Sequence, residues 1–565
     1  MRLKLKRRRA DPEIAPDEIF LDSSNTPEFN RERFEGRIEK PLPRASFLLM
    51  AAGFAVLFTV LVARAADLEL ANGSAYAAES AHNSLTIAAI FAPRGIITDV
   101  HGVVIAENVA RADGTVERHY AVPSLSHVIG YVSYPKKDAN GVYYETAERG
   151  VTGLEAGYNG LLTGKNGQML AETDALGDVR SSGTIVPAEE GGTLRLSVDA
   201  DLQQRFATAL ADTARAHGFI AGGGVVMDVS SGAVRAIVSY PSYDSNVMAG
   251  GGPASTISAY NTDPGHPFID HATQGVYAPG SIVKPLVASG ALTDGVITPS
   301  TTINDPGYLS LPDPYHPGKR FIYKGWKSLG LLDVRNAIAW SSDVFFYEVG
   351  GGIPGGQKGL GISRLDYWYR QFGLGTTTGI ALPGEAAGLI PTPEWKQKVF
   401  NEPWYTGDTY FTAIGQYSMQ VTPLQMARAA AAVANGGRLY TPELLADAAP
   451  SYTTVPASAA AFATVRSGMR LGVTGALAQA INFPYVSVAA KTGTAQTGAK
   501  NQYDNSWVIG FFPYEHPRYA FAVVLERGPS GEGEQAVNVM AALFASLHAA
   551  NSPYAGGTAT STIAL

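Results

Sequence analysis

The chain has 565 residues, a net charge of −7 and only 16% charged residues, against roughly 25% in an ordinary soluble protein, which points to large buried surfaces or a membrane connection. With no cysteine, disulfide scaffolds, thiolate metal sites, iron–sulfur clusters and cysteine nucleophiles are excluded. The acidic balance argues against a phosphate backbone as the main partner, and 45% hydrophobic residues with 62 glycines and 34 prolines predict several folded units with many turns.

The first 44 residues open with a basic cluster, Arg2, Lys4, Lys6, Arg7, Arg8 and Arg9, and then mix charges with prolines. From Ala45 to Ala63 the chain is uncharged and free of proline, bracketed by Arg44 and Arg64. At about 1.5 Å per residue the run approaches the roughly 30 Å hydrocarbon thickness of a bilayer. A cleaved signal peptide starts nearer the N-terminus and ends in a small-x-small site. The run therefore predicts an uncleaved transmembrane helix over 45–65. The basic cluster serves as a topology signal rather than a nucleic-acid site: residues 1–44 form a cytoplasmic tail and everything beyond Arg64 lies outside the plasma (inner) membrane.

Residues 66–191 read as a stalk and a β-rich platform: an Ala-rich start, a short apolar strand at Val103 to Ala106, then Gly-rich segments with turn signals. At Gly192 the pattern changes. A strand, a cap-like Asp199 and an apolar-periodic helix follow in order. GGGVVMDVSSGAVRAIVSY then predicts a hairpin, Pro423 to Asn435 a helix ended by Gly436-Gly437, and Asn505 to Gly528 a second hairpin around Pro513 to Pro517. Strands, a helical block and strands again imply an α+β domain over 192–550, with helices packed on an antiparallel sheet. The small polar residues 551–565 read as a disordered tail.

Three short motifs carry chemistry. In Ala278-Pro279-Gly280-Ser281-Ile282-Val283-Lys284-Pro285, Ser281 begins a helix and Lys284 stands at i+3 on the same face. A desolvated lysine is a base able to activate a serine, and a helix start offers N–H groups to an oxyanion. Alone the spacing is weak. It recurs as Ser133-Tyr134-Pro135-Lys136, where Pro135 opposes a helix interior. Ser341-Ser342-Asp343 reads equally as a helix cap. Lys491-Thr492-Gly493-Thr494 suits a strand edge that receives a carboxylate, with a strand-terminating turn as the alternative.

Taken together, the order Ser-x-x-Lys, Ser-x-Asp, Lys-Thr-Gly resembles the serine acyltransferases that include penicillin-binding proteins and β-lactamases, with Ser281, Ser341 and Lys491 falling 60 and 150 residues apart. Ala92 to Ala106, Gly150 to Gly160 (GVTGLEAGYNG), Ala381 to Glu385, Ile414-Gly415-Gln416, Val421 to Gln425 and Asn505-Ser506-Trp507 extend the likeness to class B penicillin-binding proteins over nearly everything from the anchor to about Ala550. Ser-x-Asp, Asp305-Pro306-Gly307-Tyr308 and Tyr323 to Gly330 resemble the penicillin-binding protein 2 branch, elongation transpeptidases that work beside a polytopic lipid II polymerase. Two departures stand out. Some relatives hold zinc in this loop, but Gly325 occupies a ligand position and cysteine is absent; no metal and no cofactor are expected, and His316 is a solvated loop residue. Only about twenty residues separate Asn108 from Val128, where the family usually inserts a head region.

The resemblance implies a peptidoglycan D,D-transpeptidase whose substrate is a stem peptide ending in D-Ala-D-Ala. Lys284 deprotonates Ser281, and the N–H groups of Ser281 and Thr494 hold the oxyanion. Ser341, linked to Lys491, protonates the leaving D-Ala, and Asp343 orients Ser341 and the substrate amide. Lys491, Thr492 and Thr494, with Gly493 allowing close approach, receive the terminal carboxylate. β-Lactams acylate the same Ser281. A D,D-carboxypeptidase or β-lactamase would use these residues with water as acceptor, and a non-catalytic β-lactam sensor would keep the acylation motifs. The anchor and platform disfavour a β-lactamase, and the short tail leaves no room for a signalling module.

Overall fold

An uncharged run without proline contains nothing to interrupt a helix, and Arg44–Ala66 form one, α1. In the computed structural model, which describes residues 43–77, 85–110, 116–137, 143–145, 148–173, 179–313, 316–498, 500–531 and 533–556, none of its residues is buried. A π-helical turn, Asp67–Ala71, continues it. Among the described residues this is the one helix long and apolar enough to cross a membrane. The basic cluster and the final residues, 557–565, lie outside the described residues.

The chain divides into two compact units, 1–86 with 171–181, and 87–170 with 182–565; α1 belongs to the first, and the sheets and helices described below belong to the second. Strands β1 (Ile97–Thr98), β2 (Val104–Ala110) and β3 (Val116–Tyr120) join a later strand, β4 (Leu194–Arg195), in the order β4-β1-β2-β3. β2 and β3 pair from Ala106↔Tyr120 to Ala110↔Val116. The short link after Asn108 is thus mostly a hairpin, with its tip, residues 111–115, outside the described residues. The GVTGLEAGYNG stretch departs from the β-like expectation by forming two short helices, α2 (Gly153–Gly157) and Asn159–Leu162. Its composition lacks the period-two apolar pattern that a strand requires. Glu155 of α2 is fully buried and accepts from Arg94 Nε at 2.5 Å and from Arg118 Nε at 2.8 Å. Two segments far apart in sequence are thereby locked to one carboxylate.

The second part of this unit begins with α3 (Ala200–Ala216), whose first amides, Asp201 N–H and Leu202 N–H, donate to the Asp199 side chain. The hairpin β5 (Ala221–Asp228) and β6 (Val234–Tyr240) follows, then α4 (Lys284–Thr293), α5 (Val334–Ala339), α6 (Asp343–Gly351), α7 (Pro423–Asn435) and α8 (Ala459–Gly475). The chain continues with β7 (Ala489–Thr497), β8 (Tyr503–Phe512), β9 (Tyr519–Pro529) and α9 (Gln535–Ala549). The five strands form one antiparallel sheet, ordered β6-β5-β9-β8-β7. The expected disordered tail does not begin at 551: Pro553–Ala555 form a 3-10 turn, and Tyr554 and Ala555 are buried in the core under α9. An aromatic ring with apolar neighbours to cover it outweighs the small polar residues around it.

Side-chain alternation sorts this sheet between two cores. Val225, Trp507, Ile509, Ala522 and Val524 pack with the block containing α4 to α7. Val226, Val508, Phe521, Val523 and Leu525 pack with α3 and α9. Both faces are covered, so β8 and β9 read as nearly continuous apolar runs and the charged fraction is low. β7, which carries Lys491 to Thr494, is the sheet's edge. It therefore presents backbone groups on the side that has no strand neighbour.

Candidate active site

The Ser281 turn is tighter than its spacing predicts. Ser281 lies in a 3-10 turn, Gly280–Val283, and α-helix begins only at Lys284. The cause is Pro285, which has no N–H to donate to the Ser281 carbonyl; the Lys284 N–H makes that bond instead. Behind the turn two glycines allow a close approach. Gly280 has φ +56°, and a Cβ there would stand 2.6 Å from the Thr494 carbonyl oxygen. Gly415 has φ +74°, its carbonyl accepts from Gly280 N–H at 2.8 Å, and a Cβ on it would stand 2.2 Å from the Gly280 oxygen. Gly415→Ala is therefore expected to cost about 2 kcal/mol or more of stability and to slow penicillin labelling by displacing the Ser281 turn. Thermal unfolding and labelling rate measured together check this.

Ser281 is half-buried and lines a cavity of about 760 Å³ together with Ser341, Asp343, Gly493 and Thr494. Lys284 lies beneath it, fully buried. Its Nζ donates to the Ser341 carbonyl at 2.8 Å, to Ser341 Oγ at 3.2 Å and to Asp343 Oδ1 at 2.7 Å. Burial pushes the Lys284 ammonium below its ordinary range, with the Asp343 carboxylate opposing. The expected meeting of Ser281 Oγ with Lys284 Nζ is not made in this structure. The lysine is long enough to reach the next element, where a carbonyl and a carboxylate compensate its buried charge.

The two serines of the second motif divide the work. Ser342 is the N-cap of α6: its Oγ accepts from Phe345 N–H at 3.1 Å and donates to the buried Asp305 Oδ2 at 2.5 Å. Ser341, one residue earlier, has φ +57°, a left-handed conformation that is costly for a residue with a Cβ. That backbone turns its hydroxyl toward Lys284. The helix-cap reading thus holds for Ser342 and leaves Ser341 free to face the lysine.

Lys491 is buried on β7, its Nζ donating to the Thr492 carbonyl at 2.6 Å. Burial, and next the Lys284 charge, push its ammonium down to about 7. The expected Ser341–Lys491 link is not formed: Ser341 Oγ is bonded to Lys284 instead. The structure also separates the two threonines. Thr494 is half-buried at the cavity wall, whereas Thr492 Oγ1 is buried and makes no hydrogen bond of ordinary geometry.

Sequence reasoning missed the anchoring role of Asp305, which also accepts Gly307 N–H at 2.8 Å. The acid before Pro-Gly was the available signal, since a turn carboxylate often bonds amides two residues on. It also missed Trp326, inside the Tyr323 to Gly330 stretch but given no role there, and Glu534, which stands outside every motif; both line the cavity. Gly325 is at the cavity wall, and His316 is exposed with Nδ1 2.8 Å from Asp313 Oδ2. Among the described residues no group of three His, Asp or Glu is arranged to hold a metal ion. The duplicate Ser133 lies in a two-residue strand, Val132–Ser133, and Lys136 pairs with Glu145 at 3.2 Å.

Residues 222–545 match the penicillin-binding protein transpeptidase domain family, and 111–196 match the penicillin-binding protein dimerisation domain. Peptidoglycan D,D-transpeptidase MrdA of Escherichia coli K12 is 36% identical over 459 residues, 74% of this chain and 69% of that protein. Among solved structures, penicillin-binding protein 2 of Pseudomonas aeruginosa in complex with WCK 5153 is 30% identical with a TM-score of 0.68, covering 84% of this chain and 99% of that one. A peptidoglycan synthase complex that coordinates polymerization and crosslinking contributes a chain 26% identical, with a TM-score of 0.70, covering 92% of this chain and 100% of that one.

Proposed function

The chain belongs to the penicillin-binding transpeptidase family as a peptidoglycan D,D-transpeptidase, and from that premise we infer that Ser281 is its nucleophile, Lys284 the base, Ser341 the proton relay and Lys491 with Thr494 the receiver of the donor's carboxylate. One observation carries this reading: Ser281, Ser341, Asp343 and Thr494, from three motifs far apart in the chain, line one cavity, and the fully buried Lys284 bonds Ser341 and Asp343 beside it.

The donor stem enters with its terminal carboxylate toward Thr494 and the Lys491 ammonium. Lys284, held below its ordinary range by burial, takes the Ser281 proton once neutral. Ser281 Oγ attacks the penultimate D-Ala carbonyl, and the oxyanion is held by the Ser281 and Thr494 N–H groups, each worth about 3 kcal/mol. The 3.2 Å contact between Lys284 Nζ and Ser341 Oγ supports a revised relay. The proton passes from Lys284 through Ser341 to the departing D-Ala nitrogen as the C–N bond breaks. An amine of a second stem then attacks the acyl-enzyme, its proton returning along the same path, and Ser281 is released. Asp343 holds Lys284 in place from α6. Muropeptide analysis of the full chain supplied with nascent peptidoglycan tests this: the reading predicts cross-linked dimers that penicillin abolishes, and monomers trimmed of D-Ala alone would contradict it.

The expected boundary at 192 moves a little later, because Leu194–Arg195 pairs in the platform sheet: on this reading the platform spans 66 to about 196 and the transpeptidase domain follows to about 550. The chain is single-pass, with residues 1–44 cytoplasmic and the cavity outside the plasma membrane. The partner is a membrane-embedded lipid II polymerase, as befits its likeness to a chain from a synthase complex. The link after Asn108 being a hairpin, association leans on α1, where a methyl group on Gly53 would meet no atom within 4 Å and flanking alanines favour close helix approach in lipid. Gly53→Leu is expected to reduce co-purification with the polymerase severalfold, more than charge changes in the hairpin do; unchanged recovery would return the contact to the platform.

A further inference from the structure

The cavity contains a carboxyl group that no motif supplies. Glu534 stands at the N-cap position of α9, half-buried, and lines the same wall as Gly493 and Thr494. Lys491, next to Gly493 and Thr494 on β7, is the cation that acts on its carboxyl most strongly, ahead of Lys284. The hydroxyl of Thr492 is buried and makes no hydrogen bond of ordinary geometry.

Two carboxylates, Asp343 and Glu534, line the cavity, and two buried lysines, Lys284 and Lys491, feel both of them. Asp343 Oδ1 holds Lys284 at 2.7 Å. The hydrogen bond from Lys491 Nζ goes to a neutral carbonyl, so Glu534 supplies the opposing charge on its side. Lys491 is faced by Glu534 from the start of α9, by Lys284 from α4 and by Asp343 from α6; Glu534 is faced by Lys491, Thr492 and Lys284. Like charges this close cannot both be kept at little cost in a dry site. The two lysines also need opposite states, since a base must be neutral and a carboxylate receiver charged.

We propose that Glu534 is a positioning residue of the transpeptidase site: its carboxylate is the counter-ion that keeps the proton on Lys491 and so leaves Lys284 free to act as base. The proposal rests on the roles given above to Lys491 and Lys284. Burial and Lys284 push the Lys491 ammonium down to about 7, and Glu534 is the first of the groups opposing that fall. Burial pushes the Glu534 carboxyl up, and Lys491 opposes that in turn. Removing the carboxylate must lower Lys491 further, so charge at the carboxylate receiver is lost at a lower pH.

The test uses the full chain in detergent, with a fluorescent penicillin and its methyl ester, across pH 5.5 to 9. In Glu534→Gln the alkaline limb of the acid's labelling rate is expected to move to lower pH, with roughly a tenfold loss near pH 7.5 for each pH unit moved. Near pH 5.5, with Lys491 charged in both proteins, the rates converge. The ester, lacking the carboxylate, shows no such difference, and Glu534→Asp restores part of the limb. Because the acid-to-ester ratio is internal to each protein, loss of folded material lowers both rates and leaves the ratio unchanged. If the wild type labels faster with acid than ester while Glu534→Gln keeps the wild-type limb and ratio, the proposal alone falls. If the wild type treats acid and ester alike, Lys491 is not the carboxylate receiver, and the proposal falls with that reading.

Discussion

Ser281→Ala is expected to abolish both covalent penicillin labelling and cross-linking, while Ser133→Ala leaves both at the wild-type level. Both serines have a lysine three residues on, so the pair separates spacing from environment. Ser281 opens on the cavity, above a buried lysine whose charge burial disfavours. Ser133 is in a strand paired with Arg149, and its lysine is bound to Glu145 in solvent. Removing a serine nucleophile from such a unit costs about 10⁶-fold in turnover, enough to take labelling below detection. Intact-mass measurement after penicillin treatment decides the matter, and an adduct on the Ser281→Ala protein would sink the assignment.

Lys284→Met should slow acylation by about 10³-fold, within the range for loss of a general base, and also destabilise the fold. Three hydrogen bonds from Nζ disappear. Asp343 is left beside a cavity without its cation, and Ser341 loses the donor that holds its left-handed backbone in place. Breaking a buried pair from one side costs about 3 kcal/mol; because the Asp343 side chain retains some exposure, the cost falls at or below that figure. Lys284→Arg separates the two effects, since a guanidinium keeps the charge but does not give up its proton near neutral pH. The arginine protein should unfold closer to the wild-type temperature yet label as slowly as the methionine protein. Labelling within tenfold of wild type in either variant would mean that another group deprotonates Ser281.

The sequence made parts of this site legible because some residues announce themselves locally. Asp199 and Gly436 mark helix ends by side-chain capping and left-handed backbone, and the apolar runs of β5, β8 and β9 mark strands that pair as expected. The three motifs came in the right order, so their convergence was inferable. How they meet was not. Ser281 and Lys284 look adjacent by spacing, yet Pro285 tightens the turn and the lysine bonds the next motif. Ser341 and Ser342 are one letter apart, and only the φ of +57° at Ser341 assigns them different tasks. Glu534 lies more than forty residues past Lys491 at the start of α9. Nothing in its own neighbourhood signals a partner on β7, because sheet order rather than sequence distance brings it there.

The most direct test of the account is to locate the acyl group itself. Wild-type protein reacted to completion with penicillin, digested and mapped by tandem mass spectrometry, should carry one adduct per chain, on the peptide containing Ser281 and on that residue. An adduct on Ser341, on Ser133 or spread over several serines would contradict the assignment of nucleophile, base and relay on which the mechanism stands.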